Sequence, residues 1–138
     1  MSNTGKVVAV LDDEIEFRKA LHRLLTGRGF RVAEYECGRD LLSAIDSDPP
    51  DCLLLDLHLP ELSGFQVLEA LRSRQPHIPV VVITADDEPG TPERVLKLGA
   101  FAYLKKPVDR DCLLDSMGKA MAGTKEYRKT SEKVGKRF

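Results

Sequence analysis

Apolar runs and helical patterns alternate five times along this chain of 138 residues. The runs VVAVL, CLLL and VVVI are continuous, which indicates strands covered on both faces, whereas RVAEY alternates and indicates an edge strand. Strands that alternate with helices favour βαβ units, an α/β fold and a parallel sheet. We predict strands at about 6–11, 31–35, 52–56, 79–84 and 101–105, and helices at about 14–28, 39–46, 64–74, 92–98 and 109–122.

Two of these helices carry more specific expectations. In the first helix, five apolar residues share one stripe at helical spacing and are expected to pack in the core: Ile15, Ala20, Leu21, Leu24 and Leu25. The fourth helix follows Pro89 and Gly90, and it begins with Thr91 as the N-cap and Pro92 in the first turn. The loop before this helix should therefore be long and polar.

Polar residues stand where the apolar runs end: Asp12 and Asp13, Asp56, Thr84, and Lys106. In an open parallel sheet, the binding crevice lies at the carboxyl ends of the strands, so these residues should converge there. Three crowded carboxylates repel one another unless a cation neutralises them. Carboxylate oxygens suit Mg²⁺, which proteins commonly hold with one or two carboxylates. The pattern therefore predicts a magnesium site.

Asp56 is the candidate centre of this site. A carboxylate can attack phosphorus and form an acyl phosphate. A divalent cation held by Asp13, and by Asp12 directly or through water, would cancel the repulsion between an anionic donor and this nucleophile. The ammonium of Lys106 and the hydroxyl of Thr84 can each contact a phosphoryl oxygen.

Each of these residues also has a plainer structural interpretation. An Asp-Asp pair after a strand is often a turn and a helix N-cap. Lys106-Pro107 alone is an ordinary loop dipeptide. His58 has no second histidine near it, because His22 and His77 fall in a helix and a loop, so imidazole coordination of a metal is not expected.

Four segments resemble the motifs of response-regulator receiver domains of two-component and phosphorelay systems: VVAVLDDEIEFRKAL, CLLLDLHLPELSGFQVLEALR, VVVITADD and GAFAYLKKPVDRDCLL. The resemblance covers about residues 6–120, with the motifs in the right order and at the right spacing. It implies a flavodoxin-like (βα)₅ three-layer sandwich with the parallel strand order 2-1-3-4-5. We assign residues 1–122 to the receiver domain and residues 123–138 to a basic tail or linker.

The resemblance also implies roles for the acidic residues. Asp56 matches the phosphoacceptor, and Asp12 and Asp13 match the acidic pair that binds Mg²⁺. His58 matches the position that lends a backbone carbonyl to the metal. His58 and Asp86 also match positions that flank the path of the hydrolytic water, so they are expected to tune dephosphorylation.

Three further residues match positions of the family, two of them in its switch. Thr84 corresponds to the switch hydroxyl, Tyr103 to the switch aromatic, and Lys106 to the lysine that family members share. The Lys106–Pro107 bond is expected to be cis, as in the family, although few X-Pro bonds in folded proteins are.

The implied function is a phosphoacceptor switch that takes a phosphoryl group from a histidine kinase or a histidine phosphotransfer protein, and catalyses only its own phosphorylation and dephosphorylation. The surface of the fourth helix, fifth strand and fifth helix should contact a downstream protein, an appended effector domain or a second copy. Phe101 and Ala102 replace an acidic pair common in DNA-binding relatives, which predicts a more apolar surface there, and direct DNA binding is not expected of this chain. The alternatives are an aspartate-nucleophile phosphatase-type enzyme and a receiver-like binding module that is never phosphorylated.

Composition adds the compartment and the character of the tail. The chain has no apolar run long enough to span a membrane, no secretory signal, and an odd number of cysteines, so we expect a cytoplasmic protein. Residues 119–138 hold seven Lys or Arg against two acids, in a chain of net charge −1. The segment KEYRKTSEKVGKRF within this stretch is either a solvated helix extension or linker, or a contact for nucleic acid or an acidic partner.

Overall fold

The computed structural model describes residues 5–123, which form alternating strands and helices. Every predicted element is present, and each boundary lies within one or two residues of the prediction. The elements are β1 (Val7–Leu11), α1 (Ile15–Thr26), β2 (Arg31–Tyr35), α2 (Gly38–Ile45), β3 (Cys52–Leu55), α3 (Gly64–Arg72), β4 (Val80–Thr84), α4 (Thr91–Lys97), β5 (Ala102–Lys105) and α5 (Arg110–Met121).

The strands form one parallel sheet in the order β2-β1-β3-β4-β5, which confirms the predicted α/β fold and strand order. Two separate clusters of buried apolar side chains cover its faces. One cluster includes side chains of α1 and α5, and the other includes side chains of α2, α3 and α4. The molecule is therefore the predicted three-layer sandwich.

Burial follows the hydrophobic pattern of the strands. Every residue of β3 and β4 is buried, and β1 is buried from its second residue onward, as continuous apolar runs predict for central strands. No residue of β2 is fully buried, which agrees with its place at the edge of the sheet.

The predicted core stripe of α1 is wrong at its first residue. Ile15 is 51% exposed, whereas Phe17 is buried and takes its place against the sheet. Ile15 opens the helix just beyond the end of β1, so its side chain extends past the edge of the core, and the buried stripe continues from Phe17 through Leu21 to Leu25.

The start of α4 differs from the prediction by one residue. Gly90 is the N-cap, in the left-handed conformation with φ of 90°, and Thr91 is the first helical residue. A positive φ is costly for residues other than glycine, which explains the choice of cap. Thr91 is buried, and its hydroxyl lies 3.5 Å from Oδ1 of Asp86, so it faces the preceding loop rather than capping the helix.

Two well-capped helices fix the loops around the carboxyl ends of the strands. Ser63 and Gln66 form a reciprocal capping box at the start of α3, and the side chain of Asp109 accepts from the Cys112 N–H at the start of α5. Within the described residues, no helix is long and apolar enough to cross a membrane. Apart from Gly123, the predicted basic tail lies outside the described residues.

Candidate functional site

Backbone hydrogen bonds extend the sheet one residue beyond the strands and place the polar residues side by side. The N–H of Asp12 donates to the last carbonyl of β2 (3.2 Å), and the N–H of Asp56 donates to Leu11 (3.0 Å). The N–H of Lys106 donates to the carbonyl of Thr84 (2.8 Å). The predicted site residues therefore stand in a row along the carboxyl edge of the sheet.

The structure brings the three predicted carboxylates together. Asp12, Asp13 and Asp56 each offer a carboxylate oxygen, and these oxygens lie within 4.8 Å of one another. Asp12 and Asp56 are buried, at 2% and 7% exposure, whereas Asp13 faces solvent. An all-oxygen set with one face open to water fits Mg²⁺, which keeps several waters when bound.

Lys106 reaches across the cluster and pairs with more than one carboxylate. Its Nζ lies 2.9 Å from Oδ2 of Asp12 and 3.6 Å from Oδ2 of Asp56. It also lies 3.0 Å from Oε1 of Glu14 and 4.2 Å from the centre of the Phe17 ring. The ammonium thus supplies part of the positive charge that the crowded carboxylates require.

Burial and the contacts between the two groups act in opposite directions on the pKa values of Asp12 and Lys106. It raises the pKa of Asp12 above 3.8, although hydrogen bonds from Lys106 and the N–H of Glu14 work in the opposite direction. Burial alone would lower the pKa of Lys106, but hydrogen bonds to Asp12 and Glu14 outweigh it, and the pKa lies above 10.5. Lys106 is therefore firmly cationic at neutral pH.

The carboxylate of Asp56 is held in a defined direction. Its Oδ1 accepts a hydrogen bond from the Leu57 N–H at 2.7 Å, so Oδ2 points towards Lys106. The start of α3 packs directly beneath it, because a Cβ added to Gly64 would lie 2.4 Å from the carbonyl oxygen of Asp56. Glycine is thus required where the helix approaches the backbone of this aspartate.

The two predicted switch residues both contact the backbone of Asp86. The hydroxyl of Thr84, a fully buried residue, accepts from the Asp86 N–H at 3.2 Å. The hydroxyl of Tyr103, which is 6% exposed, donates to the Asp86 carbonyl at 2.8 Å. Burial and the charge of Asp86 raise the pKa of Tyr103 above 10.0, so the phenol stays protonated as a donor.

The two residues predicted to tune dephosphorylation contact each other. Nε2 of His58 lies 3.0 Å from Oδ2 of Asp86, and the side chain of His58 is 67% exposed, whereas that of Asp86 is buried. This pair bridges the loop after β3 to the loop after β4. The role of the His58 carbonyl in metal binding stays a prediction.

The lysine of the site is followed by a cis peptide bond. The Lys106–Pro107 bond is cis, as the family resemblance implies, and the Gln75–Pro76 bond is also cis, which was not predicted.

Three residues of the site were not predicted from the sequence: Glu14, Phe17 and Arg18. Glu14 and Phe17 contact Lys106, and Nη1 of Arg18 donates to the carbonyl of Asp12 at 2.7 Å. The available signal was their spacing, because residues three and four positions after Glu14 lie on the same face of α1.

The prediction of a more apolar surface at the start of β5 is wrong for one of its two residues. Ala102 is fully buried, and Phe101 is partly buried against the core, so only Phe101 contributes to the surface. The physical reason is that β5 packs between two layers of helices, and its first residue points into one of them.

Comparisons with known proteins agree with this geometry. The sequence model of one family, described as "Response regulator receiver domain", matches residues 8–117. A DNA-binding transcriptional regulator NtrC of Klebsiella pneumoniae is 32% identical over 119 residues, which are 86% of this chain and 25% of that protein. The transcriptional regulatory protein ZraR of Escherichia coli K12 is 36% identical over 124 residues, which are 90% of this chain and 28% of that protein. The chain thus spans about a quarter of the length of these relatives.

Solved structures show the same fold. The receiver domain of the Francisella response regulator 1452 has a TM-score of 0.80 and 25% identity, with 87% of this chain and 99% of that chain covered. The chemotaxis response regulator CheY4 of Vibrio cholerae has a TM-score of 0.77 and 24% identity, and the match covers 85% of this chain and 99% of that chain. The family match covers most of the sequence and includes all the strand ends that build the acidic site. The chain therefore belongs to the response regulator receiver domain family, whose members are phosphoacceptor switches of two-component signalling.

Proposed function

We propose that Asp56 is the residue that accepts the phosphoryl group, with Mg²⁺ held by Asp12, Asp13 and Asp56. The observation that carries this proposal is the convergence of three carboxylate oxygens within 4.8 Å of one another beside a lysine ammonium. Mg²⁺ in this position would neutralise the carboxylates and polarise the phosphoryl group. The donor is the phosphohistidine of a histidine kinase or a histidine phosphotransfer protein.

The chain's own residues orient the reaction. The Leu57 N–H holds one oxygen of the Asp56 carboxylate, which leaves the oxygen that faces Lys106 as the attacking atom. The bond from this oxygen to phosphorus forms as the bond from phosphorus to the donor nitrogen breaks. Lys106 then pairs with a phosphoryl oxygen, which replaces its present contacts with Asp12 and Glu14.

The signal passes through the loop after β4. In the phosphorylated state, the Thr84 hydroxyl donates a hydrogen bond to the phosphoryl group. Its Oγ1 then no longer accepts the hydrogen bond from the Asp86 N–H that the structure shows. The Tyr103 hydroxyl donates a hydrogen bond to the carbonyl of Asp86. A shift of the Asp86 backbone therefore changes the contacts of both Thr84 and Tyr103. Two bonds to one residue support a direct coupling between the phosphoryl group and the surface near β5.

The pair between His58 and Asp86 sets the lifetime of the acyl phosphate. Both side chains are attached to the loops that would surround the phosphoryl group, and they lie 3.0 Å apart. We expect Asp86 to orient the hydrolytic water and His58 to shield or hold it. Replacing Asp86 with alanine should lengthen the phosphorylated half-life.

The output is read by a protein partner at the surface of α4, β5 and α5, either an appended effector domain or a second copy of the phosphorylated chain. The relatives NtrC and ZraR are named as transcriptional regulators and are much longer than this chain, which supports an attached or separate effector. The chain acts in the cytoplasm, and DNA contact belongs to the effector rather than to the receiver.

Incubation with acetyl phosphate and Mg²⁺, followed by intact-mass measurement, tests the proposed function. We expect one phosphoryl group per chain in the presence of Mg²⁺, none with EDTA, none for Asp56→Asn, and normal uptake for the control Asp40→Asn, whose exposed carboxylate lies in the first turn of α2. Many turnovers of donor without a phosphorylated protein would indicate a phosphatase. No uptake and no turnover would indicate a binding module, and either result would contradict the proposal.

A further inference from the structure

Arg18 is a buried charged residue of α1 that the proposed reaction does not use. Its side chain is only 10% exposed. A buried guanidinium is costly unless its donors are paired, so its partners show what holds it there. Its Nε donates to Oε1 of Glu34 at 3.0 Å, and its Nη1 donates to the backbone carbonyl of Asp12 at 2.7 Å.

These contacts connect the edge strand to the metal site. Glu34 belongs to β2, and its second carboxylate oxygen lies 2.6 Å from Nδ1 of His22 on α1. The Glu34 carboxylate thus lies between two residues of α1, and Arg18 connects it to the backbone carbonyl of Asp12, the first residue of the acidic pair. The order of contacts is His22, Glu34, Arg18 and then the Asp12 carbonyl.

The carbonyl contact completes the immobilisation of Asp12. The N–H of Asp12 already donates to Tyr35 of β2 at 3.2 Å, and Oδ1 accepts from the N–H of Glu14 at 2.8 Å. With Arg18 on the carbonyl, both backbone polar groups of Asp12 and one carboxylate oxygen are fixed. These contacts involve only protein groups, and together they set the direction in which the β1–α1 loop presents Asp12.

We infer that Arg18 is a positioning residue for the Mg²⁺ site, held in place by Glu34. This inference deepens the proposed function, because it concerns the cation site on which that function rests. A guanidinium can donate to a carboxylate and a carbonyl from one rigid plane, which a lysine ammonium on a flexible chain does not reproduce. Replacing a residue that orients a metal ligand typically lowers the metal affinity by about 10- to 100-fold.

The test compares Arg18→Met with Arg74→Met. Arg74 is a close match, because its Nη1 donates to one carboxylate, Asp46 (2.9 Å), and to one backbone carbonyl, Leu42 (3.4 Å), between α2 and the end of α3. Mg²⁺ titrations followed by amide chemical shifts, without any phosphoryl donor, should give a dissociation constant about tenfold higher for Arg18→Met. The Arg74→Met variant should bind Mg²⁺ like the wild type.

Two milder variants keep the test decisive if Arg18→Met does not fold. Arg18→Lys retains the charge, and Glu34→Gln retains the size of the group that holds Arg18, so both should weaken Mg²⁺ binding while the fold persists. In Mg²⁺-free protein, amide exchange at Glu14 should accelerate in each of them. In phosphorylation assays, the Mg²⁺ concentration for half-maximal rate should rise, whereas the rate at saturating Mg²⁺ should stay close to that of the wild type.

Equal Mg²⁺ affinities for the wild type, Arg18→Lys and Glu34→Gln would overturn the inference, and so would a loss of saturated rate with unchanged affinity. The Mg²⁺ titrations need no phosphoryl transfer. If the wild type binds Mg²⁺ but is never phosphorylated, the proposed function fails, while the comparison of affinities still decides the role of Arg18.

Discussion

At the scale of single residues, Lys106 is shared among three carboxylates, and only two of them belong to the predicted metal cluster. The third, Glu14, lies 3.0 Å from the ammonium on the solvent side of the site. An anionic phosphoryl donor must approach past this negative charge and must compete with it for Lys106. We therefore expect Glu14 to slow the phosphorylation of Asp56.

Replacing Glu14 with glutamine should accelerate phosphorylation of Asp56 by acetyl phosphate. Removing one like charge near the donor is worth about 1 kcal/mol at the surface, or roughly a fivefold change in rate. The matched control is Glu16→Gln, an exposed acid in the first turn of α1. A Glu14→Gln rate equal to or below that of Glu16→Gln would show that Glu14 does not restrain Lys106.

The phenol of Tyr103 is expected to titrate at more alkaline pH than an ordinary tyrosine. Its folded pKa is raised above the ordinary value of 10.0, because burial and Asp86 disfavour the phenolate. The stabilisation from its hydrogen bond is therefore fully present below pH 10, and it is lost as the pH rises through the raised folded pKa. Tyr103→Phe should remove a component of the phenolate absorbance that titrates above pH 10.0, and it should cost about 1 kcal/mol of unfolding free energy at neutral pH. An unchanged titration curve would contradict the buried hydroxyl contact.

At the scale of secondary-structure elements, the approach of α3 to the end of β3 controls the position of Asp56. Gly64→Ala would place a Cβ 2.4 Å from the Asp56 carbonyl and 2.6 Å from the Leu57 Cα, and both are backbone atoms that move only with the strand. We expect the free energy of unfolding to fall by about 3 kcal/mol, which is the upper end of the usual range for overpacking, and phosphorylation to slow. The control Gly118→Ala in α5 meets open space and should stabilise the fold by about 1 kcal/mol. Chemical denaturation measures both, and equal stabilities would refute the close approach.

The hydrophobic pattern predicted the strands well because it follows their burial. The central strands are buried on both faces and read as continuous apolar runs, whereas the edge strand β2 alternates. The pattern predicted the meeting of Asp12, Asp56 and Lys106 because the ends of parallel strands share one edge. It failed at Ile15 because a periodic stripe does not state where a helix passes beyond the sheet.

The hydrophobic pattern did not reveal Arg18, because the burial of a charged side chain depends on a partner on another element, here Glu34 of β2. The sequence also did not show that Gly90, rather than Thr91, caps α4. The cap depends on the positive φ of Gly90, and residue type alone does not determine a backbone angle.

At the scale of the whole molecule, folding is what assembles the cation site, because its ligands come from β1 and β3 and their loops. The proposed Mg²⁺ ligands meet only in the folded chain, so we expect Mg²⁺ to raise its unfolding temperature, by an amount equivalent to about 2.7 kcal/mol at a concentration one hundred times the dissociation constant. Asp13→Asn should abolish this dependence on Mg²⁺, and it should not lower stability without Mg²⁺, since it relieves repulsion among the carboxylates. Asp111→Asn, at an exposed position of α5, is the control and should retain the full response. A similar response in both variants would remove Asp13 from the site.

The carboxyl edge of the sheet is proposed to make Asp56 a Mg²⁺-dependent phosphoacceptor, and the location of the phosphoryl group after reaction with a donor tests this directly. Borohydride reduces an aspartyl phosphate to homoserine, and peptide mass mapping then identifies the residue. We expect homoserine at position 56, only when both Mg²⁺ and donor are present. Homoserine at Asp12 or Asp13, or its formation without Mg²⁺, would contradict it.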